Sequence, residues 1–139
     1  MPERVSIGRM TELKITTALM MLGKSVVAPL DVRRWDIGID HNGKLIKIQC
    51  KTARLRDGCI IFNLTSRGRN GHVGYKHTVD FFGVYCPAID KCYLIPCSQI
   101  SANLEMRLRI APSKNNQKKN TIDARPYELH PSLDIDFTT

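Results

Sequence analysis

Residues 35–54 read WDIGIDHNGKLIKIQCKTAR. The Asn42-Gly43 pair is the strongest short signal for a two-residue type I′ hairpin turn, and it predicts strands over 35–40 and 45–52. The register then follows by counting. His41 faces Lys44, Asp40 faces Leu45, Ile39 faces Ile46, Gly38 faces Lys47, Ile37 faces Ile48 and Asp36 faces Gln49. One face collects Ile37, Ile39, Ile46, Ile48 and Cys50, an apolar surface suited to covering by a helix. The other collects Asp36, Gly38, Lys47, Gln49 and Lys51. A slip of one residue would exchange the two faces, so the pattern selects this register strongly.

The polar face reads in two ways. Directly opposed side chains have Cβ atoms about 4.5–5.5 Å apart, so Asp36 and Gln49 can share one cation, with Lys51 in reach two residues along. A carboxylate oxygen and an amide oxygen are hard ligands that Mg²⁺ accepts, waters completing its octahedron. Such a cation activates water and neutralises charge growing on a phosphate, and a neighbouring lysine can orient the water or stabilise that charge. The same residue types are also common on a solvated sheet face, and spacing alone leaves both readings open. Asp40 falls beside the turn and reads as an exposed turn residue.

At 139 residues the chain is expected to be one domain, 1–139. Its net charge of +8 suits a polyanionic partner, nucleic acid before an anionic membrane surface. No apolar run approaches the roughly 18 residues of a membrane span, and the opening MPERVSIGRM lacks the apolar region of a signal peptide. A cytoplasmic protein is expected. The five cysteines, Cys50, Cys59, Cys86, Cys92 and Cys97, form no CxxC pair and sit among apolar residues. They read as small hydrophobes rather than zinc ligands.

Along the rest of the chain, Ser6 is a candidate N-cap for a helix running to about Leu22, with Gly23 as its stop. Ile15, Ala18, Leu19 and Leu22 define its buried stripe. Glu12 falls on that stripe, either at its edge, where the helix dipole favours it, or with a partner toward the core. SVVAPL reads as a short extended segment and GCIIFNLTS as a third strand, followed by a glycine-rich basic loop, RGRNGHVGYKH. VDFFGVYCP and KCYLIPC form a second apolar hairpin around AID, and LEMRLRI reads as a strand by its alternation, a short helix being the other option. A basic, mobile segment is expected over 111–120 and a C-terminal tail over 130–139.

Two basic sets stand out. Arg54, Arg56, Arg67, Arg69 and Lys76 surround the third strand and its loop, with Asp57 the only acid in that stretch. Arg107, Arg109, Lys114, Lys118 and Lys119 form the second. Charge of this kind displaces counterions from phosphates, and arginines on a two-stranded ribbon can pair with guanine in the major groove. Arg67 and Arg69 are the best candidates for base or backbone contacts; the second set is expected on backbone. His77 reads as an ordinary helix or loop histidine.

Asp36, twelve further residues, then Gln49-Cys50-Lys51, with Glu12 on a preceding helix, resembles the core of the PD-(D/E)XK nuclease superfamily. GRMTELKITTALMMLGKSVVAPL, GKLIKIQCKTAR, VDFFGVYCP with KCYLIP, and PSKNNQKKN resemble its bacterial group I intron-associated homing endonucleases. The resemblance implies an α/β (α+β) fold with a central mixed sheet flanked by helices, a restriction-endonuclease-like core. It implies Asp36, Gln49, Lys51 and Glu12 as catalytic residues. Metal ligands would be Asp36, Gln49, the backbone carbonyl of Cys50, and Glu12 directly or through water. Mg²⁺ is the implied cofactor, with Mn²⁺ able to substitute. Double-stranded DNA is the implied partner, met by a dimer or dimer of dimers, in the bacterial cytoplasm and at the nucleoid when bound. The hairpin Val79–Cys97 and the C-terminal tail are candidate assembly surfaces. Two departures stand out: Trp35 replaces the proline of the family name, and Gln49 replaces a carboxylate, removing one negative charge from the site. A junction resolvase and a non-catalytic DNA-binding module are the competing expectations.

Overall fold

The computed structural model describes residues 4–68, 71–74, 78–101, 104–111, 122–130 and 137. A helix, α1 (Arg4–Met21), precedes strand β1 (Val26–Val27) and the hairpin of β2 (Ile37–His41) and β3 (Lys44–Thr52). The hairpin has the register the sequence dictates, from Ile37 opposite Ile48 to His41 opposite Lys44. Asn42 and Gly43 both take positive φ, 53° and 83°, as a type I′ turn requires. Exposed Asp40 accepts the Gly43 N–H at 3.1 Å, a turn residue as expected. The helix starts at Arg4, ahead of Ser6, so Ser6 lies inside the first turn and is not the cap. A serine is tolerated there because first-turn N–H groups have no intrahelical partner in any case. Gly23 does stop the helix. At φ 79° it donates to the Met20 carbonyl, and Lys24 donates to that of Leu19, the paired bonds of a Schellman motif.

The chain continues through β4 (Arg54–Arg56), β5 (Cys59–Asn63), β6 (Thr65–Gly68), β7 (Gly71–Gly74), β8 (Phe81–Cys86), β9 (Lys91–Pro96), β10 (Glu105–Arg109) and β11 (Ile122–Asp123). The main sheet has the order β1-β2-β3-β8-β9 and is mixed, because β3 and β8 run parallel. Parallel neighbours need a long crossover, usually a helix. Here the crossover is made of strands, since CIIFN is rich in residues that fit a pleated surface. The third strand thus leaves the main sheet and joins a second one, of order β11-β10-β5-β4. Among the described residues the main sheet therefore carries one α-helix, on one face, and the second sheet covers the other. The glycine-rich stretch expected as a loop contains an antiparallel ribbon, β6 with β7, in which Arg67 lies opposite His72.

Two cores result. Ile15 and Leu19 of α1 meet Ile37, Ile39, Ile46, Ile48, Phe81 and Leu94 on one face of the main sheet. Gly83 permits this approach: a Cβ there would lie 3.0 Å from Ile15 Cγ2. Phe82, Val84, Tyr93 and Ile95 on the other face meet Ile60, Phe62, Met106 and Leu108 of the second sheet. Cys59, Cys86, Cys92 and Cys97 are buried and all five cysteines are free. The strands of the β8–β9 hairpin are buried along nearly their whole length, which leaves its turn, with Asp90 and Lys91, as its exposed part. Of the C-terminal tail, Phe137 is buried against Phe81 in the chain's own core. No helix among the described residues is long and apolar enough to cross a membrane.

Candidate active site

β3 runs on past the start of β2, and Asp36 fills the corner this leaves. Its N–H donates to the Ile48 carbonyl at 2.9 Å, and its Oδ2 accepts the Cys50 N–H at 2.8 Å. Trp35, in front of it, is partly buried against the second core. Gln49 stands beside Phe82 of β8 and Lys51 beside Val84, so both point between the two sheets. At Gln49 and Lys51 the polar row of the hairpin is therefore not a solvated face, although Lys47, nearer the turn, is exposed. Gln49 is only 8 % exposed, and its Oε1 is buried without a hydrogen-bond partner among the described residues. Half-buried Lys51 donates from Nζ to the Thr65 carbonyl, at the first residue of the ribbon, at 3.2 Å. Glu12 is half-buried on α1, 3.9 Å from Arg9.

The charges act on one another. Burial, and then the Asp36 charge, push the Glu12 carboxyl above its ordinary value, with Arg9 opposing. Burial also raises Asp36, against the Cys50 N–H and the Lys51 ammonium. Burial lowers Lys51, with Asp36 opposing. Two carboxyls reluctant to ionise and one buried acceptor lacking a donor share a common remedy, a cation bound among their oxygens. The donor chemistry fits a divalent metal: Asp36, Gln49 and Glu12 could hold it. No cluster of three or more His, Cys, Asp or Glu side chains suited to a metal occurs among the described residues. Two carboxylates and an amide make a lean set that leaves positions for water and phosphate oxygens.

The basic residues are arranged differently from their order in the sequence. Arg54 and Arg107 both stand opposite Ile61, and Arg56 and Arg109 both stand opposite Cys59. These four arginines, two from each set, thus share one face of the second sheet. Glu105 sits among them, accepting from Arg54 at 2.7 Å and lying 3.5 Å from Arg107. Asp57 is therefore not the only acid nearby; its Oδ2 is 3.9 Å from Arg56. Arg67 belongs to β6. Arg69, Lys76, His77, Lys114, Lys118 and Lys119 lie outside the described residues, as does 112–120.

Sequence reasoning missed three participants. The Thr65 carbonyl carries no side-chain signal. Glu105 reaches Arg54 from fifty-one residues away. Thr11 is buried one turn before Ile15, and its Oγ1 lies 2.6 Å from that of Thr52. Its position four residues ahead of Ile15 placed it on the buried stripe and could have flagged it.

The family model described as PD-(D/E)XK endonuclease matches residues 3–130. The chain belongs to the PD-(D/E)XK endonuclease family. It is a nuclease, and PD-(D/E)XK nucleases generally use divalent metal ions. Among solved structures it is similar to a bacterial homing endonuclease, I-Ssp6803I. The TM-score is 0.67 at 25 % sequence identity, over 91 % of this chain and 89 % of that one. No curated protein matches.

Proposed function

We propose that this PD-(D/E)XK nuclease is a Mg²⁺-dependent homing-type endonuclease that hydrolyses both strands of DNA at a long target site. The observation that carries the reading is the buried Gln49 Oε1, without a hydrogen-bond partner among the described residues, on the same stretch of β3 whose Cys50 N–H holds the Asp36 carboxylate and whose Lys51 reaches the first residue of the β6–β7 ribbon. Asp36 and Gln49 would hold the cation, with the Cys50 carbonyl and Glu12 completing the protein's share. When bound, Mg²⁺ supplies charge against the phosphate and lowers the pKa of a water. Asp36, fixed by the Cys50 N–H, keeps its oxygen aimed without having to reorganise. Lys51, tethered to the Thr65 carbonyl, presents its ammonium to charge growing on the phosphate. The arginine face of the second sheet grips phosphates, and the ribbon enters the major groove. The homing reading draws its support from the likeness to a bacterial homing endonuclease.

One such site per chain cuts one strand, so two copies act together. We assign their contact to the outward face of α1, where Met10, Leu13, Met20 and Met21 are exposed. A groove of about 680 Å³ adjoins it, and its charged rim pairs Lys14 with Asp90 and Lys91 with Glu128. That balanced rim lets two copies of a chain of net charge +8 approach. Leu13→Glu should shift the sedimenting species to monomer; an unchanged species would move the contact elsewhere.

The deciding experiment sets a randomised duplex library beside a four-way junction, with Mg²⁺ and with EDTA. Metal-dependent duplex cuts confined to one long motif are expected. Cuts at the junction alone would make the protein a resolvase. Salt-sensitive binding without any cutting would leave a DNA-binding module.

A further inference from the structure

Only two polar side chains are buried among the described residues, Thr11 at 2 % exposure and Gln49 at 8 %. Gln49 belongs to the candidate site. Thr11 sits on the α1 stripe where Ile15 and Leu19 continue below, a position an apolar residue would fill at no cost. Its hydroxyl meets that of Thr52 at 2.6 Å. Thr11 directly precedes Glu12, and Thr52 directly follows Lys51. This hydrogen bond therefore joins the two elements that carry the site, at the level of the site itself.

The packing explains why such a tie is needed. α1 seats closely where Ile15 meets Gly83, a contact without ordinary room for a Cβ. That contact lies almost one turn from Glu12 and is apolar, so it resists separation and permits rocking. The Lys14–Asp90 bond, reinforced by Tyr85 at 2.7 Å from the same oxygen, holds the helix to the β8–β9 turn, but it is exposed. With about 1.5 Å of rise per residue and a side chain reaching several Å from the axis, a rock of roughly 10° about Ile15 moves the Glu12 carboxylate by about 1 Å. A functional constellation tolerates about 0.5 Å.

We infer that Thr11 and Thr52 are a positioning pair, whose hydroxyl–hydroxyl bond fixes the rotation of α1 and so holds the Glu12 carboxylate at the metal site. The inference rests on the proposed role of Glu12 as a ligand. Thr11→Val is the clean probe. It keeps the volume, removes the buried hydroxyl, and leaves the exposed Thr52 hydroxyl to water.

The test measures Mn²⁺ affinity of the DNA-free protein by electron paramagnetic resonance, together with the Mg²⁺ requirement for cleavage and the Tm. Thr11→Val should melt at or above the wild-type temperature yet bind Mn²⁺ about tenfold more weakly, the lower end of what groups that orient metal ligands contribute. Its half-maximal Mg²⁺ should rise in step, and Thr11→Ser should restore both. Wild-type Mn²⁺ affinity in Thr11→Val overturns the inference. Glu12→Gln, measured alongside, says why. Weakened binding there confines the failure to the threonine pair, whereas wild-type binding there removes Glu12 from the site and the pair with it.

Discussion

The two faces of β3 are built to opposite rules. Ile46 and Ile48, toward α1, are 2 % and 0 % exposed and belong to the apolar cluster that Ile15 and Leu19 complete, so their burial favours the fold. Gln49 and Lys51, toward the second sheet, are an acceptor with no donor among the described residues and an ammonium that burial makes easier to discharge. The same nine-residue strand thus spends on one face what it gains on the other. At these four positions stability and chemistry are separated by a half-turn of pleat, and their substitutions should sort accordingly.

The largest effect expected is on turnover. Asp36→Asn should lower cleavage by more than about 100-fold while DNA binding persists, because the amide keeps the Cys50 bond but not the charge. Retained cleavage in a single-turnover assay would take Asp36 out of the site. Next comes Ile48→Ala, which should cost about 2–5 kcal/mol in denaturant melts. A loss well below that would mean the helix-side core can collapse around the gap. Gln49→Leu should do the reverse on the neighbouring residue, raising stability by about 1 kcal/mol as the orphaned oxygen disappears, and ending cleavage. A destabilised Gln49→Leu would show that the amide has a partner after all.

The smallest effect concerns pH. Asp36 is harder to ionise in the folded chain than its ordinary value of 3.8. Its contribution therefore favours folding while it is protonated, below that value, and is lost as pH rises through the raised folded pKa. Without metal, Asp36→Asn should gain Tm over wild type as pH climbs through the carboxylate range, and Mg²⁺ should narrow the gap. A pH-independent difference would mean that burial is not what holds the carboxyl up.

What could be read from the chain depended on how local the cause was. Asn42-Gly43 pins the β2–β3 register from within four residues, which is why Asp36 could be set against Gln49 on paper. The end of α1 was legible for the same reason, since Gly23 alone supplies the left-handed residue. The ribbon looked like a loop because glycines at both ends carry no strand preference. The second sheet was hidden because Arg54-Leu55-Arg56 reads as a basic run; all three residues are exposed, and only pairing with β5 makes them a strand. Whether the polar face was solvated or a site turned on what lay across from it, and that was decided by Phe62, Met106 and Leu108 far along the chain.

The parallel pairing of β3 with β8 sets an order of assembly. The β2–β3 hairpin closes over two residues, within microseconds for a turn of this kind. The β3–β8 ladder waits on the whole of 53–80, whose closure entropy must be met before any rung forms. A newly made chain would then hold Asp36, Gln49 and Lys51 in register well before it has a cleft, and an unfinished nuclease would be a harmless one. Pulse-labelled hydrogen exchange should protect the hairpin amides ahead of those in Phe81–Cys86; simultaneous protection would show that the two sheets condense together.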